Sequence, residues 1–124
     1  MAHAHSDYKI ARSVAMPFYI VCDISGSMCE SPKAGHAVPV DIIEENLPGI
    51  IDAIQDDKLA SSIVWLSIIE FGSTARRILD LKSISDPKIQ VDGLSRGGAT
   101  NYEAVFSLLA DTLETDIERL RREN

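Results

Sequence analysis

Asp23-Ile24-Ser25-Gly26-Ser27 sets one carboxylate and two hydroxyls on alternate positions, with a glycine that permits a tight turn. An oxygen-only donor set carrying one negative charge suits a hard divalent cation. Mg2+ fits best, because it prefers octahedral oxygens and keeps some of its waters; Mn2+ is the second candidate. A second segment, Gly97-Gly98-Ala99-Thr100, offers a further hydroxyl, and its two glycines allow one backbone to approach another closely. Asp23, Ser25, Ser27 and Thr100 are thus the candidate metal ligands.

Other chemistries find less support. A phosphohydrolase that uses Asp23 as nucleophile typically has a second Asp two residues later, where Ser25 stands. Ser25 or Ser27 as an acyl-transfer nucleophile needs a nearby base and a Gly-x-Ser-x-Gly elbow, and neither is visible. Ser85-Asp86-Pro87-Lys88 matches Ser-x-x-Lys without supporting motifs and reads as a turn. Phosphate-cradling glycine motifs are absent, which leaves nucleotide binding without support. His36 lies in a Pro/Gly-rich loop, and His3 and His5 sit in a polar arm over residues 1–13.

The elements that must position these residues are short and well marked. Pro17 to Cys22 is a continuous apolar run that fits a central strand buried on both faces, ending at Asp23. In open α/β sheets ligands bind at the carboxyl ends of strands, which is where the Asp-x-Ser-x-Ser segment falls. From Val40, apolar residues recur at steps of three and four through Ile54, the stripe of an amphipathic helix; Pro48 should kink or break it near Leu47. Asp56 to Lys58 reads as a polar turn. Ile63 to Phe71 predicts a second buried strand, Gly72-Ser73 a tight turn, and Ala75 to Leu81 a hairpin partner. Arg76 and Arg77 read as a solvated edge, and Trp65 as core. Lys82 to Ala99 is mainly loop. Tyr102 to Leu120 carries the last helical stripe, with arginines toward its end as the helix dipole favours. Strand, helix, strand, strand, helix is an α/β order with a crossover between the first two strands.

Composition bounds the function. The chain has 124 residues, 45% of them apolar, the length of a single domain. Twelve Lys and Arg against nineteen Asp and Glu give a net charge of −7, which repels phosphate backbones and anionic membranes. No stretch approaches the roughly 20 apolar residues of a membrane span. We therefore expect neither nucleic-acid nor membrane binding. Cys22 and Cys29 are too sparse for a disulfide framework and read as free thiols of a reducing cytoplasm, Cys22 as a small core residue.

Asp-x-Ser-x-Ser after a Pro-Phe-Tyr-Ile-Val-Cys strand, followed by Gly-Gly-Ala-Thr opening a helix, resembles the von Willebrand factor A (VWA) family and its metal-ion-dependent adhesion site (MIDAS). The chain is most similar to small bacterial VWA proteins of the tellurite-resistance-associated, TerY-like type. The resemblance runs from about Met16 to the end and includes Asn46-Leu47-Pro48, Ile69-Glu70-Phe71-Gly72 and Thr100-Asn101-Tyr102. It implies a three-layer α/β/α, Rossmann-like fold. It also implies metal coordination by Ser25, Ser27 and Thr100, with Asp23 bound directly or through water. The open coordination position would then accept an Asp or Glu of a partner protein, which is binding and not catalysis.

Two departures follow from the same comparison. Family members usually carry a small residue three positions after the Thr, where this chain has Glu103. Thr100-x-x-Glu103 is also a capping-box pattern, so a cap competes with a metal for the Thr100 hydroxyl. In the family a further strand follows the last helix and ends in an Asp-Gly that completes the site. The resemblance therefore implies that 14–124 is the first part of such a domain, C-terminally truncated. Phe18 to Val21 would then form an exposed apolar edge, predicting oligomers or pairing with a complementing chain. The expected function is metal-dependent protein binding. The alternatives are a Mg2+-dependent hydrolase using Asp23 and a fragment without a competent site.

Overall fold

The computed structural model of the chain describes residues 14–123. The arm predicted over 1–13 lies outside the described residues. Three strands, β1 (Met16–Asp23), β2 (Val64–Phe71) and β3 (Ala75–Ser83), form a mixed sheet in the order β1-β2-β3. β1 runs parallel to β2, from Met16 opposite Val64 to Asp23 opposite Phe71. β3 returns antiparallel to β2 across the Gly72-Ser73 turn. A parallel pair needs a long crossover, and α1 (Pro39–Asp56) and α2 (Lys58–Ile63) supply it. After a long irregular segment, α3 (Tyr102–Glu123) closes the described chain.

The two-residue period of the strands sorts side chains onto two faces. Cys22, Leu66, Ile68 and Leu79 gather on one face with Val40, Leu47 and Ile51 of α1. Ile69 and Phe71 face the other way and meet Val105, Leu108 and Leu109 of α3. Helices thus cover both faces of the sheet, and the α/β class expected from the element order is observed. Burial explains why β2 reads as an almost unbroken apolar run, since it is the middle strand with helices above and below.

Several expectations are corrected. β1 is not central among the described strands: it has one neighbour, and Phe18 and Val21 are exposed. Its apolar character therefore falls on an open edge. Pro48 does not end the helix. α1 runs on to Asp56 because Leu47 and Ile51, on either side of the proline, are both anchored in the core, while Pro48 itself faces outward. The polar turn at 56–58 is instead a helix junction. There the Asp57 carboxylate accepts the Ala60 N–H at 2.9 Å and starts α2. Trp65 is half-buried, with the Arg119 guanidinium 5.4 Å from its ring centroid.

Arg77, read from sequence as a solvated edge residue, lies under α3 with its side chain only 17% exposed. Its NH1 and NH2 donate to the buried Asp116 carboxylate at 3.2 and 2.5 Å, and Nε donates to Ser67 Oγ at 2.9 Å. Tyr19 Oη donates to the same carboxylate at 2.6 Å. Ser67 Oγ in turn donates to Leu79 O at 2.8 Å, where the β2–β3 ladder shifts register. The hydroxyl thereby gains a backbone acceptor in a fully buried position. Burial pushes the Tyr19 phenol far above its ordinary value, and the hydrogen bond to Asp116 acts in the same direction. Cys22 is buried in the opposite core; burial, and then the Glu70 carboxylate, raise its thiol to about 11.

Two outcomes follow from this packing. Asp116→Ala strands a buried guanidinium and should cost about 3–5 kcal/mol in urea unfolding, whereas the Arg77→Met/Asp116→Leu double variant should lose markedly less. Both raised groups are neutral in the folded chain and ionise earlier in the unfolded one. Their contribution is complete below the unfolded-state values of about 8.5 for Cys and about 10 for Tyr, and fades as pH rises past them. Stability measured from pH 8 to 11 should therefore fall, and Tyr19→Phe with Cys22→Ala should flatten the slope.

Candidate metal centre

The carboxyl end of β1 delivers Asp23 to the edge of the sheet, and a 3-10 turn over Gly26–Cys29 follows at once. Asp23 Oδ1 accepts two hydrogen bonds from Ser25, one from its N–H at 2.8 Å and one from its Oγ at 2.6 Å. Ser25 is 1% exposed, Asp23 is half-buried, and Ser27 is exposed. Ser25 Oγ and Ser27 Oγ lie 3.4 Å apart. Oxygens on adjacent corners of an octahedron around Mg2+ are about 2.9 Å apart for metal–oxygen distances of about 2.0–2.1 Å. The two observed oxygen separations bracket that edge. Ser25 can keep its donation to Asp23 and still present a lone pair to a cation, because a hydroxyl has one donor and two acceptor sites. The donor set therefore fits a hard divalent ion held by Ser25 and Ser27, with Asp23 beside them.

The Thr100 segment reaches this turn through backbone contacts. Gly97 N–H donates to Ile24 O, and Gly26 N–H donates to Gly98 O, both at 2.8 Å. Gly97 and Gly98 have φ near +98° and +97°, which L side chains rarely adopt. The hairpin turn completes the crossing: Asn101 N–H donates to Gly72 O at 2.9 Å, and Ala99 N–H donates to Ser73 Oγ at 2.9 Å. Cys29 sits under the junction, its Sγ accepting the Gly97 N–H at 3.2 Å and lying 3.3 Å from Ile24 O.

Thr100 is exposed beside this crossing, and its hydroxyl is not used as the helix cap. The capping box expected from Thr100 and Glu103 is replaced by Asn101, whose Oδ1 accepts the Ala104 N–H at 3.0 Å. α3 begins one residue later than the box requires, and the competition for the Thr100 hydroxyl disappears. Among the described residues no three His, Cys, Asp or Glu side chains come together as a metal cluster. A centre here depends on hydroxyls and one carboxylate.

Sequence reasoning missed the residues that hold the crossing in place. Glu70 is 3% exposed; it accepts the Ser95 N–H at 2.9 Å and pairs with Arg76 at 3.2 Å, tying loop 95–100 to the hairpin. A carboxylate inside an otherwise apolar strand was the available signal, since a buried charge requires partners. Asn101, directly before a helical stripe, likewise carried an N-cap signal. A Cβ at Gly72 would lie 2.8 Å from Gly97 O. Gly72→Ala should therefore push the Thr100 segment away and cost about 1–3 kcal/mol in denaturant unfolding. Gly49→Ala, where a Cβ meets nothing within 4 Å, is the control and should be neutral or stabilising.

No family model matches the chain, and no curated protein matches it. Solved structures do resemble it. One is an uncharacterized membrane spanning protein from Vibrio fischeri, at a TM-score of 0.53 and 18% identity over 81% of this chain. Another is the D319A mutant of the PilB minor pilin from Streptococcus sanguinis, at a TM-score of 0.55 and 17% identity over 73% of this chain. The chain spans 50% of the Vibrio protein and 24% of the pilin. At these identities the likeness concerns the fold. Among the described residues of the present chain, no helix is long and apolar enough to cross a membrane.

Proposed function

We propose that the chain is a VWA-like, metal-dependent protein-binding module. Ser25, Ser27 and Thr100, with Asp23 direct or through water, would hold a Mg2+-type cation whose remaining position takes a carboxylate from a partner protein. The observation that carries this reading is the donor geometry at the end of β1. A nearly fully buried Ser25 hydroxyl lies 2.6 Å from a carboxylate oxygen and 3.4 Å from a second hydroxyl, beside a glycine crossing that brings the Thr100 segment to the same place. When bound, the ion supplies positive charge and an open site for a hard oxygen donor. The chain's own residues orient the donors. Asp23 fixes the Ser25 hydroxyl, the 3-10 turn presents Ser27 to solvent, and Asn101 caps α3 without drawing on Thr100.

An ion that binds the folded chain stabilises it by mass action. At a Mg2+ concentration about tenfold above its dissociation constant the gain is about 1.4 kcal/mol, or several degrees in Tm. Mg2+ and Mn2+ should each raise Tm in thermal unfolding, Ca2+ less so, and Asp23→Ala or Ser25→Ala should abolish the rise. An unchanged Tm at millimolar metal would remove the cation from the proposal. A phosphate-ester screen in Mg2+ adds a second check. Turnover that disappears in Asp23→Ala would replace the binding reading with a hydrolase.

A further inference from the structure

Among the described strands β1 has one neighbour, and its outer edge presents unpaired main-chain groups. Ile24 N–H donates to Phe71 O at 2.9 Å, so the even positions of the strand turn toward β2. Pro17, Tyr19, Val21 and Asp23 therefore turn their main-chain groups outward. Pro17 has no N–H to offer, and the open side is where a strand tolerates it. No charged side chain guards the edge before Asp23.

α3 adds apolar surface beside this edge. One of its stripes meets the sheet through Val105, Leu109, Thr112, Asp116 and Leu120. A second stripe, Phe106, Ala110, Leu113 and Ile117, lies about 80° round the helix from the first. All four of its residues are exposed, Phe106 by 64%. Arg119 leaves the helix on the other side, where its NH1 donates to Leu81 O of β3 at 3.0 Å. The second stripe thus leans toward β1, above the exposed Val21, which shares the α3 face of the strand with Tyr19.

This surface is complementary to itself. The intervals of the second stripe are four, three and four, the same in both directions. An antiparallel copy of α3 therefore sets Phe106 against Ile117 and Ala110 against Leu113. Glu103 and Arg121 border the stripe at opposite ends of α3, both exposed and about 27 Å apart along the axis. They are too far apart to pair within one chain, but in the antiparallel arrangement each faces its opposite charge. A two-fold axis beside Ile20 would likewise set Tyr19 against Val21 of the second copy, with N–H and C=O exchanged both ways. Val105 packs with Ile69, the register partner of Val21, and Asp116 accepts from Tyr19. The middle of the stripe is therefore level with the same axis.

We propose that the open edge of β1 and the second stripe of α3 form an isologous interface with a second copy of this chain, so that two three-stranded sheets become one. The Glu103 and Arg121 contacts set the direction and offset locally the repulsion between two chains of net charge −7. The interface does not depend on the cation centre.

Sedimentation velocity of the full chain tests it. The chain should sediment as a dimer at high micromolar concentration and dissociate on dilution. Leu113→Glu, at an exposed position, should weaken dimerisation at least about tenfold while the far-UV circular dichroism stays unchanged. Glu103→Arg should weaken it about threefold to tenfold, and adding Arg121→Glu, which exchanges the two charges, should restore it. A dimer that the charge exchange does not restore overturns the antiparallel interface, and assemblies larger than two overturn the closed two-fold. A monomer at every concentration overturns the proposal outright. Slow hydrogen exchange at the Tyr19 and Val21 amides of that monomer would give the edge to residues 1–13 of the same chain, and rapid exchange would leave it to a different protein.

Discussion

The buried guanidinium of Arg77 obliges four elements to converge. A charge in that position is tolerable only with a carboxylate and further hydrogen bonds around it, and these come from Asp116 on α3, Ser67 on β2 and Leu79 O on β3 through Ser67, while Tyr19 on β1 completes the Asp116 carboxylate. Apolar packing of Val105, Leu108 and Leu109 against Ile69 and Phe71 holds α3 to the sheet, and the directional contacts add to it. The directional contacts of Arg77 select one placement. Because α3 is placed, so is its first turn, with Asn101 as cap and Thr100 just before it.

The carboxyl end of the sheet depends on a second constraint, the close passage of three backbones. Loop 24–26, the Gly72-Ser73 turn and segment 97–101 exchange main-chain hydrogen bonds at 2.8 to 2.9 Å. Only glycines allow that distance at Gly72, and only glycines relax into the positive φ of Gly97 and Gly98. The resulting junction is polar, rich in hydroxyls and flanked by arginines. Its hydroxyls and the Asp23 carboxylate are the donor types that the proposed cation centre would use.

Much of this was legible in the sequence because it depends on local pattern. The strand at Ile63 to Phe71, the hairpin after Gly72-Ser73 and the start of the last helix at Tyr102 follow from β-branched runs, turn residues and apolar periodicity. What misled was context. Arg77 resembled a surface residue because Asp116, its partner, lies 39 positions away. Pro48 resembled a helix stop because the anchoring of Leu47 and Ile51 in the core is a tertiary matter. β1 read as doubly buried because apolar content does not distinguish a middle strand from an open edge; the exposed edge, seen at Phe18 and Val21, was expected only from the VWA resemblance.

The sequence by itself determined the α/β order and the donor types at Asp23, Ser25, Ser27 and Thr100, because side-chain chemistry and short-range periodicity need no fold to be read. Tertiary structure alone decided that the Thr100 segment crosses the Ser25 turn, that Asn101 and not Thr100 caps α3, and that Glu70 faces Arg76 and Ser95. Each of these depends on contacts between residues far apart along the chain. Their geometry is set by which backbones can approach closely and which buried charges must find partners.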